Sequence, residues 1–591
     1  MRWIHGFLAW TVAVTLLAMA FVNTTSAEER LWLVHDGQSC AAIVFGSDNI
    51  YAAERLQRYF TDQTGAKMDL VSAEQWKASD SGLSKKRAVI LIGSDKSNPV
   101  LHQLATQYDW EIDPNAITEQ GYLAKRLSHD GRDWVILAGG GRDGAQYATV
   151  DLFQWNLQCE GKDVWLASLD TRQIPRCRYR WLWNWDGRMD WGGSGNRSTK
   201  MAEAHEDYAY SKSPDAYLVD GKRCIDYMAD HKFNSLALWG FLRDAHGGIP
   251  ASQELCRYAK HRGVRILPGV GTSGYGGYYY QGQHEFNCGT WLAMHPELRA
   301  VDKQGKPRPS ICPSKKANQD WLDRGAAWLF KTFDIGGVNL EMGDFYVCYC
   351  DDCKQARAAI PSNEPDYFKD MAISHKITVS TMRRIAPDAL LSYATYSGFT
   401  PKLMKTQSRP MFLSMIPEDA ICQWTLSGMA AHWPAMEKPM ARHNIGYVHW
   451  CNVSSNTAHH FFLTQIHDLC RKAAAAGFEG IDAYGELSAD RPNVEITYLA
   501  WEAFLWNPEM TLEQFADQRL ARIYGGEKAA RILLEIIPLV CDKNERTKPG
   551  NLDRATQLAE SARAISSKKG RTHWDRLLAY LRNPQINVNS R

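Results

Sequence analysis

The feature that most constrains the fold is a long alternation of strand-like and helix-like segments that begins near Arg178. Short apolar stretches typical of buried parallel strands alternate there with longer segments whose apolar residues recur at helical spacing. Eight such units in roughly 310 residues match a (β/α)8 TIM barrel with long loops. A doubly wound open sheet is the alternative, but it usually needs fewer units.

The segments that build this prediction are short and evenly spread. The predicted strands are Tyr179 to Trp185, Phe233 to Trp239, Val264 to Pro268, Val338 to Glu341, Leu390 to Thr395, Ile421 to Thr425, Tyr447 to Trp450, and Gly480 to Tyr484. The predicted helices between them are Lys222 to His231, Gln253 to His261, Gln319 to Phe333, Tyr367 to Ile385, and His459 to Ala476.

The first residues predict a secretory signal peptide rather than part of the fold. Arg2 precedes an apolar run from Phe7 to Val22, and the small residues ending at Ala27 suit a cleavage site. We therefore expect residues 1–27 to be removed and the protein to be exported, to the periplasm or outside the cell. No later stretch is long and apolar enough to span a membrane.

Between this leader and the barrel, residues 28–172 predict a small α/β domain. Its predicted elements are the strands Ala41 to Phe45 and Ala88 to Gly93, the helix Tyr51 to Phe60, a hairpin of Tyr122 to Leu127 with Trp134 to Leu137, and a closing helix from Gln146 to Gln154. A G-x-G-x-x-G pattern occurs at Gly139, Gly141 and Gly144. Since the strand before it is the second arm of a hairpin, turn geometry explains the pattern better than a dinucleotide site.

The predicted barrel covers residues 173–490, and residues 491–591 predict a C-terminal helical region. Its helices are expected at Val494 to Trp506, Thr511 to Tyr524, and Lys528 to Val540, followed by a polar tail.

Composition and motifs limit the classes of partner and of enzyme that this chain can represent. Sixty-eight Lys and Arg against 66 Asp and Glu give a net charge of +2, so nothing favours a nucleic-acid partner. The chain has 22 Trp and 25 Tyr, whose flat faces suit sugars but also fill large cores. Phosphate-loop, zinc-protease and nucleophile-elbow motifs are absent from the sequence.

The strongest chemical signal is a pair of acids at a predicted strand tip. Glu341 and Asp344 follow the apolar residues Val338 and Leu340 and are separated by Gly343. The C-terminal ends of barrel strands carry the chemistry of such folds, and glycosidic cleavage commonly uses two carboxyl groups. A capping Asp with an ion-paired Glu is the structural alternative. Asp482 and Glu486, at the tip of the eighth strand, are candidates for the opposing carboxylate.

Aromatic and polar residues cluster at the other strand tips and in one loop. The predicted substrate-binding residues are Trp183, Trp185, Asp186, Trp239, Tyr275, Tyr393, Tyr396, Trp424, His449, Trp450, Asn452 and Tyr484. Tyr275 belongs to a tyrosine-rich loop, which we expect to form an ordered lid. If the barrel forms, the others converge on one mouth.

A cysteine cluster follows directly on the carboxylates. Cys348, Cys350 and Cys353 have spacing that suits zinc if a fourth ligand arrives from Cys312 or Cys288. Disulfides among the same residues are the alternative in an exported protein. We expect a structural role and no required cofactor, with structural zinc as an option.

Several stretches resemble known families. Ala52 to Phe60 and Gly140 to Tyr147 are similar to the small domain that precedes the barrel in family 67 α-glucuronidases and in family 20 and 84 hexosaminidases. Trp183 to Gly193 resembles the first barrel strand of α-glucuronidases, and Ala500 to Pro508 the helix after such barrels. The cysteine loop resembles that of the uncharacterised bacterial proteins grouped as DUF4838.

The resemblance implies that Glu341 is the acid at the end of strand four. The chain also departs from these families. The partner carboxylates of α-glucuronidases have no clear match around Ile421 to Gly428, where Gln423 and Trp424 stand, and the hexosaminidase Asp-Glu pair is absent, since Asn339-Leu340 precedes Glu341. The leading hypothesis is an exported glycoside hydrolase with a carbohydrate substrate. A non-catalytic glycan-binding barrel and a structural or adhesion module are the alternatives.

Overall fold

The computed structural model describes most of the chain in twelve segments. These are residues 30–78, 86–186, 189–191, 213–271, 278–341, 346–361, 366–398, 417–426, 436, 438–439, 441–448 and 460–583. Two compact units divide between Ile174 and Pro175.

The first unit contains two sheets and five α-helices among the described residues. Its strands are β1 Leu31–His35, β2 Gln38–Ser39, β3 Ala41–Phe45, β4 Asp69–Ser72, β5 Ala88–Ser94, β6 Tyr122–His129, β7 Arg132–Gly139, β8 Gln158–Glu160, β9 Asp163–Leu166 and β10 Asp170–Gln173. Its helices are α1 Ile50–Thr64, α2 Ala73–Ala78, α3 Pro99–Tyr108, α4 Pro114–Ile117 and α5 Arg142–Asp151.

The larger sheet has the order β10-β6-β7-β5-β3-β4, and the smaller one the order β2-β1-β9-β8. Strands β4, β3, β5 and β7 are parallel, whereas β6 pairs antiparallel with β7 as the predicted hairpin. Helices cover the strands of the larger sheet, and residues removed from water in this way are mostly apolar. Strand β5, for example, is buried along its whole length.

The glycines after β7 let other backbone segments approach closely. A Cβ at Gly139 would lie 2.1 Å from the Ala145 nitrogen, and one at Gly144 would lie 2.1 Å from the Gly121 oxygen. These contacts account for the glycines of the G-x-G-x-x-G pattern as packing residues in a strand-to-helix turn.

The second unit contains a closed barrel of eight parallel strands, which confirms the predicted fold class. The strands are β11 Tyr179–Trp185, β12 Ser235–Trp239, β13 Arg265–Val270, β16 Gly337–Glu341, β17 Leu390–Gly398, β18 Ile421–Leu426, β19 His443–Val448 and β20 Gly480–Tyr484. The ring closes where β20 pairs with β11, Trp181 opposite Asp482. A small hairpin, β14 Arg299–Val301 with β15 Pro307–Ile311, lies between β13 and β16 in sequence.

Helices follow most of the strands. They are α6 Pro214–Asp230, α7 Gly248–His261, α8 Cys288–Met294, α9 Lys316–Thr332, α10 Asp351–Ala358, α11 Asp366–Ile385 and α12 Leu463–Ala475. None of the helices in the described residues combines the length and apolar character that crossing a bilayer requires.

Several elements begin earlier than the sequence pattern predicts, among them helix α6 and strand β19. Helix α6 starts at Pro214, capped by the Ser213 side chain, and runs through Gly221, where a Cβ would lie 2.7 Å from Leu255. Gly221 is therefore a helix-packing residue and not a helix boundary. Strand β19 starts at His443, whose ring lies 3.0 Å from a Glu479 oxygen.

The C-terminal region is helical almost to the last described residue. Its helices are α13 Pro492–Trp506, α14 Leu512–Phe515, α15 Ala521–Tyr524, α16 Glu527–Val540, α17 Lys543–Thr547, α18 Asn551–Ile565 and α19 Lys568–Arg582. Thr511 begins α14 with a capping box, as its position before a periodic apolar face predicts. The predicted polar tail instead forms α18 and α19, because α18 packs through the small residues Ala555, Ala559 and Ala562.

A buried ion pair connects helix α13 to the connection between α6 and β12. Glu502 Oε1 lies 3.1 Å from the Lys232 ammonium, and Glu502 Oε2 lies 2.8 Å from the His231 ring; Lys232 and Glu502 are almost completely buried. Burial alone would raise the pKa of Glu502, but attraction to Lys232 and the hydrogen bond with His231 lower that pKa to about 2. Glu502 therefore remains ionised, and it balances the buried charge of Lys232.

Candidate active site

Aromatic side chains fill the barrel near the C-terminal ends of its strands. The aromatic cluster consists of Trp183, Trp185, Trp239, Tyr447 and Tyr484, all buried. Ring centroids lie 4.7 Å apart for Trp183 and Tyr484 and 5.9 Å apart for Trp185 and Trp239. Gly269 makes room for this packing, since a Cβ there would lie 2.2 Å from the Trp239 ring.

Strand register explains why these residues meet. Trp183 pairs with Ala237 on one side and with Tyr484 on the other, and Trp185 pairs with Trp239. Alternate residues of a strand face the same side, so Tyr179 and Trp181 of β11 fall in the layer below. Four of the five members were predicted from their positions at strand tips; Tyr447 was not.

A polar chain crosses the interior below this cluster. The Asn339 amide donates to Ser392 Oγ at 3.2 Å and to Gln423 Oε1 at 2.9 Å, and the Gln423 amide donates to Asp482 Oδ2. All four side chains of this polar chain are buried. One amide group thus bridges the interior residues of β16 and β20.

Asp482 is enclosed within this chain. Its burial raises the pKa of its carboxyl well above the usual value, and the hydrogen bond from Gln423 offsets only part of that rise. A carboxyl group in this setting favours its neutral form. Gln423, which sequence reasoning identified only as a missing carboxylate, is its hydrogen-bond donor.

Glu341 is the last residue of β16 and is 3% exposed. It lies two residues beyond Asn339, and strand alternation therefore places it on the interior-facing side of β16, one layer nearer the C-terminal end. The register pairs Glu341 with Ala394 of β17. Asp344 lies outside the described residues.

Glu486 follows β20 by two residues and is also buried. Its Oε1 accepts from the Trp185 backbone nitrogen at 3.3 Å, and its carbonyl accepts from the Asp190 nitrogen at 2.7 Å. These contacts hold Glu486 beside the end of β11. Strands β16 and β20 are the fourth and eighth of the closed ring, so Glu341 and Glu486 belong to opposite sides of it.

Asp186 forms a buried ion pair that the sequence did not reveal. Arg243 Nε lies 2.6 Å from Asp186 Oδ2, and His246 Nε2, 3.8 Å from the same oxygen, donates to the Gly240 carbonyl at 2.8 Å. Burial lowers the pKa of His246 to about 4, so this ring is neutral near pH 7. Gly240 has a φ of +72°, and a Cβ there would collide with Asp186. In the sequence, the glycine directly after the predicted strand was the signal for this close contact.

Two predicted aromatic residues lie apart from the aromatic cluster. Trp424 follows the interior residue Gln423, so it faces outward, where its Nε1 donates to Asn444 Oδ1 at 2.8 Å. Tyr393 follows the interior residue Ser392, so it also faces outward, and its ring centroid lies 5.7 Å from that of His375 on helix α11. Both rings occupy the layer between barrel and helices.

The remaining predicted binding residues cannot be placed. Tyr275, His449, Trp450 and Asn452 lie outside the described residues, as does the side chain of Tyr396.

Four cysteines meet between two connections of the barrel. The thiol cluster consists of Cys312, Cys348, Cys350 and Cys353, whose sulfur atoms all lie within 4.8 Å of one another. Cys312 Sγ is 3.6 Å from Cys350 Sγ and 3.4 Å from Cys353 Sγ. Cys312 is the predicted fourth member; Cys288 is not part of the cluster. None of the thirteen cysteines in the described residues is bonded to another.

Known proteins resemble this chain in fold. No protein-family model matches it, and no curated protein matches its sequence. Among solved structures, a family GH115 4-O-methyl-α-glucuronidase with specificity for decorated arabinogalactans aligns at a TM-score of 0.57 and 11% identity, covering 92% of this chain and 71% of its own. A GH138 enzyme targeting the pectin rhamnogalacturonan II aligns at 0.52 and 10%, covering 92% and 68%.

The GH20 chitobiase of Flavobacterium johnsoniae aligns at a TM-score of 0.50 and 12% identity, covering 87% of this chain and 72% of its own. At such identities the similarity establishes the architecture. The chain therefore has the barrel fold found in these three glycoside hydrolases.

Proposed function

We propose that this protein is a glycoside hydrolase in which Glu341 is the general acid and Glu486 the opposing carboxylate. The observation that carries the proposal is the placement of two buried acids on opposite sides of the same end of the barrel, the end at which five aromatic rings form a cluster. Aromatic faces suit sugar rings. Of two carboxyl groups across a glycosidic bond, one can protonate the leaving oxygen while the other attacks the anomeric carbon or activates the water that does so.

Asp482 receives a different role. It is completely buried below the aromatic cluster and hydrogen-bonded to Gln423, and burial raises its pKa. A neutral carboxyl in that position can support the floor of the site but is poorly suited to act as a nucleophile or base. Between the two candidates on β20 and its extension, Glu486 is therefore the opposing carboxylate.

The fold comparisons support a carbohydrate substrate. The names of the three aligned enzymes describe specificity for decorated arabinogalactans, targeting of pectin rhamnogalacturonan II and a chitobiase, and all three are glycoside hydrolases. We take a glycan as the substrate class without choosing a sugar.

Glu341→Gln tests the general acid directly. Once a panel of aryl glycosides and plant or bacterial polysaccharides has identified a substrate, this variant should lose about 10²- to 10⁴-fold in kcat/KM. The loss should shrink for an aryl glycoside whose leaving group needs no protonation. A purely structural role for Glu341 would impair both substrates equally.

Glu418→Gln is the matched control. Glu418 precedes β18 at the other end of the barrel and its side chain is 86% exposed, so the same change there should leave turnover intact. Unchanged turnover in Glu341→Gln would refute the assignment. Sugar binding without any turnover by the wild type would favour a non-catalytic glycan-binding barrel, the alternative motivated by Gln423 at the position of a partner carboxylate.

We also infer that the protein is exported. The inference rests on the signal-like pattern of residues 1–27, which lie outside the described residues. N-terminal sequencing of protein from the non-cytoplasmic fraction should begin at Glu28. Retention of Met1 in cytoplasmic material would overturn it.

A further inference from the structure

The thiol cluster has the composition and dimensions of a metal site, and we propose that it binds one zinc ion through Cys312, Cys348, Cys350 and Cys353. Four cysteine ligands are a common structural zinc set. With Zn–S bonds of about 2.3 Å, the sulfur atoms of a tetrahedral site lie about 3.8 Å apart. The measured separations of 3.4 and 3.6 Å from Cys312 need only small adjustments to reach that geometry.

The backbone around Cys348 is held by a buried ion pair. Asp370 accepts from the Cys348 nitrogen at 2.9 Å, while Arg357 donates to the Cys348 carbonyl at 2.6 Å and to Asp370 at 2.7 Å. The side chains of Arg357 and Asp370 are 5% and 0% exposed. This pair fixes the orientation of one ligand before any ion binds, as outer-shell groups do in metal sites.

Other polar groups contact the sulfur atoms. The Val301 nitrogen donates to Cys348 Sγ at 3.5 Å, and the Cys353 thiol donates to Ser314 Oγ at 3.1 Å, a hydroxyl that would become the donor once Cys353 is a thiolate. Cys350 occupies the N-cap position of helix α10, and Cys353 lies in its first turn, where the helix dipole favours negative charge. Four thiolates around one zinc ion carry a net charge of −2. The Val301 N–H, the Ser314 hydroxyl and the N-terminus of helix α10 would stabilise that charge.

Disulfides account less well for the same arrangement. Two bonds would pair four sulfur atoms into separate units, whereas here Cys312 lies near Cys350 and Cys353 at similar distances. A purely apolar cluster would not explain the backbone donors and the Arg357–Asp370 pair around it. A shared cation explains all of these contacts.

The ion would join two connections at the C-terminal end of the barrel. Cys312 directly follows β15, in the segment between β13 and α9, whereas Cys348 and Cys350 lie between β16 and α10 and Cys353 lies in the first turn of α10. Glu341 ends β16 seven residues before Cys348. The zinc site would therefore stabilise the connection that begins at Glu341, and it does not depend on the proposed catalytic activity.

Metal analysis of the full-length protein, purified without added metal, tests the proposal. Elemental mass spectrometry should find about one zinc per chain. Cobalt(II) exchanged into the site should show the intense visible absorption of tetrahedral tetrathiolate cobalt. Removal of the ion by a chelator should lower Tm, and added zinc should restore it.

Cys350→Ser removes one ligand at a half-buried position, so the packing cost is small. It should lose zinc on dialysis against the chelator under conditions in which the wild type keeps it. Cys541→Ser, another half-buried cysteine but outside the thiol cluster, should keep zinc as the wild type does. Metal-free protein with four titratable thiols, disulfides among these residues, iron in place of zinc, or equal retention in both variants would each overturn the proposal.

Discussion

At the scale of single residues, Asp482 shows how position decides the role of an acid. Sequence reasoning could treat it as equivalent to Glu486, since both lie at the end of one strand. The structure separates them: Asp482 is sealed below the aromatic cluster as the last member of the polar chain, and Glu486 lies beyond it. Neutral Asp482 lets the chain cross the barrel without an unpaired charge.

Asp482→Asn should therefore be tolerated, and its effect should depend on pH. The folded protein holds the pKa of this carboxyl above its unfolded value of 3.8, so the folded state keeps a proton that the unfolded state releases. Wild-type stability is thus lost as pH rises above about 4, up to the folded pKa, whereas asparagine has no such loss. Calorimetry should show that the Tm of the variant rises relative to the Tm of the wild type as pH increases from about 4 to about 7.

Asp419→Asn is the control, since Asp419 is a half-exposed acid paired with Arg383. Its Tm relative to the wild type should not rise over that range. A constant Tm difference for Asp482→Asn at every pH would mean that Asp482 is ionised in the folded protein.

At the scale of secondary-structure elements, the contact between helix α13 and Lys232 is the most consequential one. Lys232 is completely buried and adopts a φ of +60°, and its carbonyl accepts from Arg180 of β11 at 2.7 Å. Glu502 on α13 supplies the opposite charge. Three elements distant in sequence therefore depend on one ion pair.

Glu502→Gln should destabilise the protein by about 3–5 kcal/mol, because it leaves the Lys232 ammonium buried without a negative partner. Urea unfolding at pH 7 measures the loss. In Glu502→Gln/Lys232→Met, which removes both charges, most of the stability should return. Absence of this recovery would show that the loss comes from packing rather than charge.

The same pair predicts acid sensitivity. Glu502 has a folded pKa of about 2, below its ordinary 4.5, so its contribution is complete above pH 4.5 and disappears as pH falls towards 2. Urea unfolding at a series of pH values should therefore show the wild type losing stability relative to the double variant across that window.

At the scale of the whole molecule, the two units differ in how they are built. The first has its own sheets and a core around β5 and β7, with members such as Leu91, Leu101 and Ile136. The residues up to Ile174, expressed alone from Glu28, should therefore give a single cooperative thermal transition by circular dichroism. A gradual, non-cooperative change would mean that this unit needs the rest of the chain.

The sequence predicted the barrel because its signal is local and repeated. Strand β20 matches its predicted bounds, since a short apolar run between glycines and polar residues has few other interpretations. The residues that complete the site depend on contacts across the ring. Gln423 is 84 residues from Asn339 and 59 from Asp482, and no pattern in one strand reveals such partners.

Arg243 and its neighbour His246 were missed for a similar reason. They lie after β12 in a short connection that includes a single 3₁₀ turn, Asp244–His246, and has no hydrophobic periodicity, and only the folded ring brings them to Asp186. Gly240 was the one local hint, since a glycine directly after a buried strand often marks a positive φ or a close approach.

The pairing of Glu502 with Lys232 has a practical consequence for anyone who shortens this protein. A natural place to cut would be after β20, where the ring of strands is complete and the remaining helices look dispensable. Such a cut would remove Glu502 and the Trp506 ring that lies 4.7 Å from the Lys232 ammonium. The truncated chain would contain every strand of the barrel, yet it would lose both partners of Lys232 and expose the apolar surface that the almost completely buried helix α13 covers, so we expect it to aggregate.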